Sequence, residues 1–482
     1  MPQQAELSYA KTGWLQPALV VVFVVFALRL VGLWLNKTDL FVDEAQYWLW
    51  GQELSLGYYS KPPMIAWVIR GFGEICGDSA FCIRLPSLVL HSATALVLGA
   101  IAASLSGRRA AVLVVAAYLT LPMVALSSLL MSTDTVMFPF LALTLWAYVR
   151  CLKGGSALVA FGGGIALGLA FLSKYAAVYY LLCAVLAAGL HPRLGLRHAL
   201  GFLIGFAVAA SPNIIWNLFN GLTTVQHTLD NVDWVRDGGS RAALNPAGLA
   251  EFFASQFAVF GPVLFGGLLW LSARFAARDG WQKRWLLFAL PIIAIVCVQA
   301  LLSRAYANWA AAAYLAGCLV VVPWLAQVGK PWLRISFAIN ILLAVLLPLV
   351  TIAPDLIAPN GRSAVERYLG RAALSTEAID LARQHQLGTI VSSNRDVLAD
   401  LFHTGRETGL EFRARPQPGR APHHYAQAFP FTVAPGPVLL VDQGDAPCPA
   451  AKLLAETRAE TGAWRGKTFR FWQVDSACLL AR

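Results

Sequence analysis

The chain has 482 residues, of which 58% are hydrophobic and only 13% charged, with 16 Trp and 26 Phe. Soluble domains carry about 25% charged residues, so this composition, with a mean hydropathy of +0.60, excludes a soluble globular protein. The net charge of +11 would by itself suggest a polyanionic partner, but the placement of the charges argues against nucleic acid.

The first apolar run, Leu15–Leu35, is of membrane-spanning length. It is too long for a signal h-region, lacks an Ala-x-Ala-like exit and carries Arg29, so it is expected to be a retained helix. Further runs follow near 86–105, 110–128, 135–150, 157–172, 175–190, 199–216, 251–273, 285–303, 307–327 and 333–353. With the first they make about eleven spans, the fifth and sixth nearly continuous around Leu172–Tyr175. The short connections Ser106–Ala110, Arg150–Ser156, His191–His198, Ser272–Trp285 and Gly329–Arg334 hold Arg and Lys, with Asp279 as their one acid. This is the positive-inside pattern. It puts the N-terminus in the cytoplasm and Asn36–Leu85, Asn217–Ala250 and everything after Pro354 outside.

The first outer loop contains "FVDEAQYWLWGQELSLGYYSKPP", Phe41–Pro63. Asp43 with Gln46 fits an N-cap and capping box, and the aromatics after them fit an interfacial belt. A cap explains neither the second acid, Glu44, nor Lys61, which precedes two prolines. Those prolines hold the backbone extended, presenting the lysine in one direction, as a phosphate ligand requires; snorkelling to headgroups is the plainer alternative. "LLMSTDTVMFPF" places Asp134 at an outer helix end and "FLSKYAAVYY" places Lys174 between apolar segments. A helix cap and an interfacial anchor are the structural explanations, but ionisable groups at membrane depth are functional candidates by default. The second outer loop adds His227, Asp230 and Asp233, and "SRAYANWAAAAY" adds Arg304, Asn308 and Trp309.

After Pro354 the composition turns soluble. "TIVSS", "VLLVD" and "FRFWQV" are expected as buried strands, with "DVLADLFHTG" and "AAKLLAET" as helices between them. The expected division is therefore a helical membrane domain over 1–354, including outer loops 36–85 and 217–250, and an outer α/β domain over 355–482. Cys76, Cys82, Cys448 and Cys478 fall outside, where Cys76–Cys82 and Cys448–Cys478 bridges are possible, four unpaired thiols being the alternative. Acids and bases from separate connections thus share the outer face, the layout of an active site for an amphiphilic substrate. Lysines suit a lipid-linked phosphate leaving group and an aspartate suits a general base. A transporter or flippase for a lipid-linked sugar is the rival class; it requires charges near the bilayer midplane and matched broken helices, which the one-sided distribution lacks.

Together "DEAQYW…YYSKPPMIAW…RLPS", "MSTDTVMF", "FLSKYAAVYY", "VQHTLDN" and "ANWAAAAY" resemble the GT-C glycosyltransferases. The resemblance is to the bacterial branch of the dolichyl-phosphate-mannose protein mannosyltransferase family, which includes aminoarabinose and galacturonic acid transferases of lipid A and its core. It implies a polytopic α-helical GT-C fold with a small periplasmic α/β domain, in a bacterial inner membrane. It also implies inverting transfer of one sugar from a polyprenyl phosphate donor to a periplasm-facing glycolipid, lipid A or lipopolysaccharide core; protein O-mannosylation is the competing acceptor reading. Carried onto this chain, Asp43 is the base or acceptor organiser and Lys61 the donor-phosphate ligand. Asp134 lines the same cavity as a third catalytic candidate, and Lys174 and Arg304 assist the phosphate. Glu44, Tyr58, Tyr59, Arg84, His227, Asn308 and Trp309 complete the expected substrate-binding set. No cofactor is implied with certainty, and a divalent metal stays open. Aminoarabinose transferases carry Glu where this chain has Ser60 and Arg where it has Gln46. Those departures point away from aminoarabinose, and "YYSKPP" looks more like the galacturonosyltransferase branch.

Overall fold

The computed structural model describes residues 13–232, 244–356, 358 and 361–480; Asp233 lies outside them. The chain divides into two compact units. One comprises Met1–Trp34, Ser55–Val68 and Arg84–Pro348; the other comprises Leu35–Leu54, Ile69–Ile83 and Leu349–Arg482. The first outer loop is therefore shared: its Asp43 segment belongs to the second unit and its Lys61 segment to the first.

The first unit is helical. Among the described residues six helices are long and apolar enough to cross a membrane, or seven if the bent pair Pro246–Val259 and Pro262–Ala273 counts as one. Three further apolar helices are shorter, Ala157–Ser173, Tyr175–Ala187 and Ala313–Val328, against the eleven spans expected from run length. The run Ala80–Thr120 breaks at Gly107, φ 86°, inside the basic connection read from the sequence. The expected span 251–273 is two helices bent by 115°. The bend falls at Gly261, φ 89°, where a side chain would also collide with Asn340. Helix Ala157–Ser173 ends at Lys174, whose extended backbone leads into the 3-10 turn Tyr175–Val178 and helix Tyr179–Ala187.

Glycines set the closest packing in this unit. A Cβ at Gly164 would strike the Phe202 backbone and one at Gly205 the Phe161 carbonyl. Helices Ala157–Ser173 and Leu196–Phe219 thus approach backbone to backbone, as small residues permit between membrane helices. Apolar side chains such as Phe23, Leu28 and Trp34 point outward, each more than 60% exposed. That is the surface a lipid tail would cover. Two buried polar side chains near the first helix are partnered, as burial requires: Arg29 donates to the Leu119 carbonyl, and His91 meets the Tyr118 hydroxyl at 2.9 Å and Ser127 Oγ at 2.8 Å.

The second unit is built on a five-stranded sheet: β1 Thr389–Ser392, β2 Glu411–Ala414, β3 Val438–Asp442, β4 Lys452–Arg458 and β5 Thr468–Val474. Its order is β2-β1-β3-β5-β4, with β1 parallel to β2 and β3 and both pairs of β5 antiparallel. Side chains alternate between two cores: Ile390, Leu439, Val441 and Phe471 on one face, Val391, Leu440, Trp472 and Val474 on the other. Helices Arg371–Gln384 and Arg395–Thr404 flank the sheet.

"DVLADLFHTG" is helical as expected, but "AAKLLAET" is the edge strand β4. Its Ala and Leu residues are good helix formers, but pairing with β5 through a bulge at Leu453/Ala455 overrides that preference. Both expected disulfides, Cys76–Cys82 and Cys448–Cys478, form.

Candidate active site

In the first unit the segment Ser55–Pro63 is a pinned strap. Tyr58 N donates to the Lys61 carbonyl at 3.2 Å, closing the turn before Pro62 and Pro63. Asn213 Nδ2 donates to the Leu56 carbonyl at 2.7 Å, Thr224 Oγ1 to the Tyr58 carbonyl at 2.6 Å and Trp67 Nε1 to the Ser55 carbonyl at 2.9 Å. Ser55 N donates to the Tyr58 hydroxyl at 3.0 Å, so buried Tyr58 shapes the strap from within. Gly57 is needed here, because a Cβ would enter the Trp216 ring. Lys61 is half-buried at the tip of this strap. Tyr59 and His227, expected from different loops to share a site, come together edge to face with ring centres 5.2 Å apart.

Asp134 and Lys174 also meet, but not as free groups. Lys174 Nζ donates to both carboxylate oxygens of Asp134 at 2.8 Å. Asn308 Nδ2 adds a third hydrogen bond, to Oδ2, at 2.8 Å. The aspartate is 6% exposed, in the first turn of helix Thr133–Leu152, where the helix dipole favours an anion. Ser132, and not Asp134, caps that helix by accepting from Thr135 N. Asp134 thus accepts three hydrogen bonds, and the pair offsets the charge of both groups. Asp134, expected as a catalytic group, and Lys174, expected at the donor phosphate, are thus each other's partners in this structure.

The next residue, Tyr175, continues toward the strap: its hydroxyl donates to Asn213 Oδ1 at 2.8 Å, and the same Asn213 holds the Leu56 carbonyl. Tyr175, Asn213 and Thr224 were not singled out from sequence, since nothing there pairs an amide on one helix with a carbonyl 157 positions away. Arg304 is exposed, and Trp309 packs on Tyr306 with ring centres 5.6 Å apart. Arg84, expected in the substrate-binding set, is 1% exposed.

In the second unit helix Val42–Gln52 carries the acids. Its N-cap is Phe41, and Glu44 at the third helical position accepts from Phe41 N at 2.9 Å. The expected cap, Asp43, is thereby released, and Glu44, expected to bind substrate, is a buried capping residue with 1% exposure.

Asp43 points instead to Arg395, the first residue of helix Arg395–Thr404: Arg395 Nη2 donates to Asp43 Oδ1 at 2.6 Å. The same guanidinium donates to Gln46 Oε1 from Nη2 at 3.0 Å and from Nε at 3.1 Å. Further along the loop helix, Trp48 Nε1 donates to Asp78 Oδ1 at 2.7 Å, and the Asp78 carbonyl meets His403 Nε2 at 2.9 Å.

The histidine pair His423-His424 lies beside this arginine's field. Burial first, and then the charge of Arg395, push the His424 imidazole down to about 4. Burial likewise lowers His423, whose Nδ1 accepts from Ala426 N at 3.1 Å as the cap of a short helix. Among the described residues no group of three or more His, Cys, Asp or Glu is placed to hold a metal ion.

The chain resembles known proteins in sequence and in fold. Residues 60–216, starting in the lysine strap, match the family described as dolichyl-phosphate-mannose-protein mannosyltransferase. Over 471 residues, 96% of this chain and 98% of the relative, the sequence is 40% identical to the lipid A galacturonosyltransferase RgtD of Rhizobium johnstonii. The fold matches that of ArnT from Cupriavidus metallidurans. The apo structure superposes with a TM-score of 0.64 at 15% identity, covering 96% of this chain and 98% of that one. The structure bound to undecaprenyl phosphate gives 0.65 at 16% identity, covering 98% and 100%. The chain is a multi-pass membrane protein and belongs to the ArnT- and protein-mannosyltransferase-like family of GT-C glycosyltransferases.

Proposed function

We propose that the protein transfers a single galacturonic acid from a polyprenyl phosphate carrier to lipid A, at the periplasmic face of a bacterial inner membrane. The observation that carries this reading is end-to-end 40% identity to a protein named as a lipid A galacturonosyltransferase. The undecaprenyl phosphate bound to an ArnT of the same fold supports the class of carrier, and the basic cytoplasmic connections support the orientation.

In the proposed reaction the acceptor oxygen forms a bond to the anomeric carbon while the bond from that carbon to the phosphate oxygen breaks. Its electron pair leaves with the polyprenyl phosphate, and one displacement inverts the centre. No enzyme nucleophile is needed, unlike the two-carboxylate retaining scheme. Lys61, fixed by the strap, offsets charge on the leaving phosphate. Asp43 orients an acceptor hydroxyl and takes its proton. Lys174, which shares its charge with Asp134, and exposed Arg304 assist Lys61 with the phosphate. Tyr59, His227 and Trp309 supply ring faces and edges for the sugar.

The purified protein in proteoliposomes, given short-chain polyprenyl-phosphate galacturonate and lipid A, should yield lipid A heavier by one hexuronate. Transfer of aminoarabinose or mannose from the matching donors, with none of galacturonate, would refute the assignment.

A further inference from the structure

The strand order of the sheet reverses between β1 and β3. From β1 the chain runs through helix Arg395–Thr404 to β2 on one side, and returns to β3 on the other. In open α/β sheets the carboxyl ends of the strands beside such a reversal carry the functional groups. Here those ends are tightly organised. Ser393 Oγ, after β1, donates to both oxygens of Asp442, the last residue of β3, at 2.6 and 2.8 Å. Asn394 caps the helix by accepting from Asp396 N at 2.8 Å, and its own N–H donates to Ser392 Oγ at 3.1 Å. The first side chain that this frame projects is Arg395.

Its guanidinium reaches Asp43 and Gln46, one turn apart on the face of helix Val42–Gln52. Gln46 accepts from Nε as well as Nη2, which fixes the plane of the fork and hence the direction in which Nη2 meets Asp43. The pair is partly open, with side-chain exposures of 36% for Arg395 and 44% for Asp43. An ion pair so exposed adds little to stability, so stability does not explain an arrangement with three converging hydrogen bonds. Asp43 is held through Oδ1, and among the described residues Oδ2 receives no hydrogen bond. One oxygen tethered and the other open is the arrangement a carboxylate needs to orient a substrate hydroxyl.

We propose that Arg395 is a positioning residue for the transfer reaction: the α/β domain uses it to hold the loop carboxylate Asp43 in one orientation, with Oδ2 facing the acceptor. This rests on Asp43 acting on the acceptor, and the experiment separates the two ideas. Transfer from short-chain polyprenyl-phosphate galacturonate to lipid A is measured for Asp43→Asn, Arg395→Ala, Arg395→Lys, their Asp43→Asn double mutants, and Gln46→Arg with Arg395→Ala. Thermal unfolding of each variant in detergent checks its fold.

Loss of orientation should cost Arg395→Ala about 10- to 100-fold in kcat, with KM for the donor changed less than twofold. Arg395→Lys, which keeps the charge without the fork, should lose about 3- to 30-fold, and it carries the test if the alanine variant does not fold. Neither Arg395 substitution should lower activity further in an Asp43→Asn background. Gln46→Arg should recover about tenfold by returning a guanidinium to the same face, which a merely structural defect would not allow. Normal kcat in Arg395→Ala and Arg395→Lys beside an inactive Asp43→Asn would overturn the positioning role and leave the Asp43 assignment intact. Full multiplicative loss in the double mutants would do the same. Normal turnover in Asp43→Asn would overturn both.

Discussion

Asp43 and Glu44 exchange the roles that their order in the sequence suggests. The start of helix Val42–Gln52 leaves the Phe41 N–H without a helical partner, and Glu44, three positions into the motif, reaches back to it. The sequence shows a capping pattern with two adjacent acids; it does not show which acid faces the backbone, because a shift of one residue turns the pair by about 100° around the helix. Glu44→Ala should therefore destabilise the protein by about 1 kcal/mol, seen as a lower unfolding temperature, while Glu44→Gln, which still accepts, should lose less. An unchanged midpoint in Glu44→Ala would return the capping role to another group.

The Lys174–Asp134 pair was legible as two candidate residues, not as one ion pair, since their 40-residue separation hides the contact. Arg395 left no signal at all, being one more arginine in a soluble tail until the fold brings it to the loop helix.

His424 gives a pH prediction at the same scale. Its imidazole is held down to about 4, against about 6.5 in an unfolded chain. A depressed histidine is neutral in the fold, so its contribution is complete above about 6.5 and is lost as pH falls toward about 4. The loss is at most about 1.4 kcal/mol per pH unit in that window. Unfolding temperature should fall between pH 6.5 and 4, and His424→Phe, which keeps an aromatic ring beside Trp50 and Phe429, should flatten that fall. An equally steep fall in the variant would assign it to other groups.

Among the elements, apolar run length located the spanning helices because the bilayer sets their minimum length. It missed the 115° bend between Pro246–Val259 and Pro262–Ala273 because hydropathy does not report backbone direction. Gly261 makes that bend, with φ 89° and a Cβ direction blocked by Asn340. Gly261→Ala should cost roughly 1–3 kcal/mol and lower the unfolding temperature; an unaffected variant would show that the bend does not depend on glycine. In the tail, three strands were legible as apolar β-rich runs. Edge strand β4 was not, because its register with β5, rather than its own composition, decides its conformation. The strap Ser55–Pro63 was legible at its Lys-Pro-Pro end, where proline fixes the backbone, but its anchors on Asn213 and Thr224 come from distant helices.

For the whole molecule, composition and charge placement sufficed for a multi-pass membrane protein with a soluble tail. The discontinuous second unit, which takes in Leu35–Leu54 and Ile69–Ile83, follows from long-range contacts that composition does not encode. Family membership brings the glycosyltransferase chemistry, and Lys61 in its strap is the feature on which the proposed donor depends. The most direct measurement is the rate of galacturonate transfer from polyprenyl phosphate to lipid A by wild type and Lys61→Ala, at matched levels of folded protein. The account predicts at least a 100-fold loss in kcat/KM, of the order seen on removing a transition-state charge contact. Near-normal transfer by Lys61→Ala would contradict it.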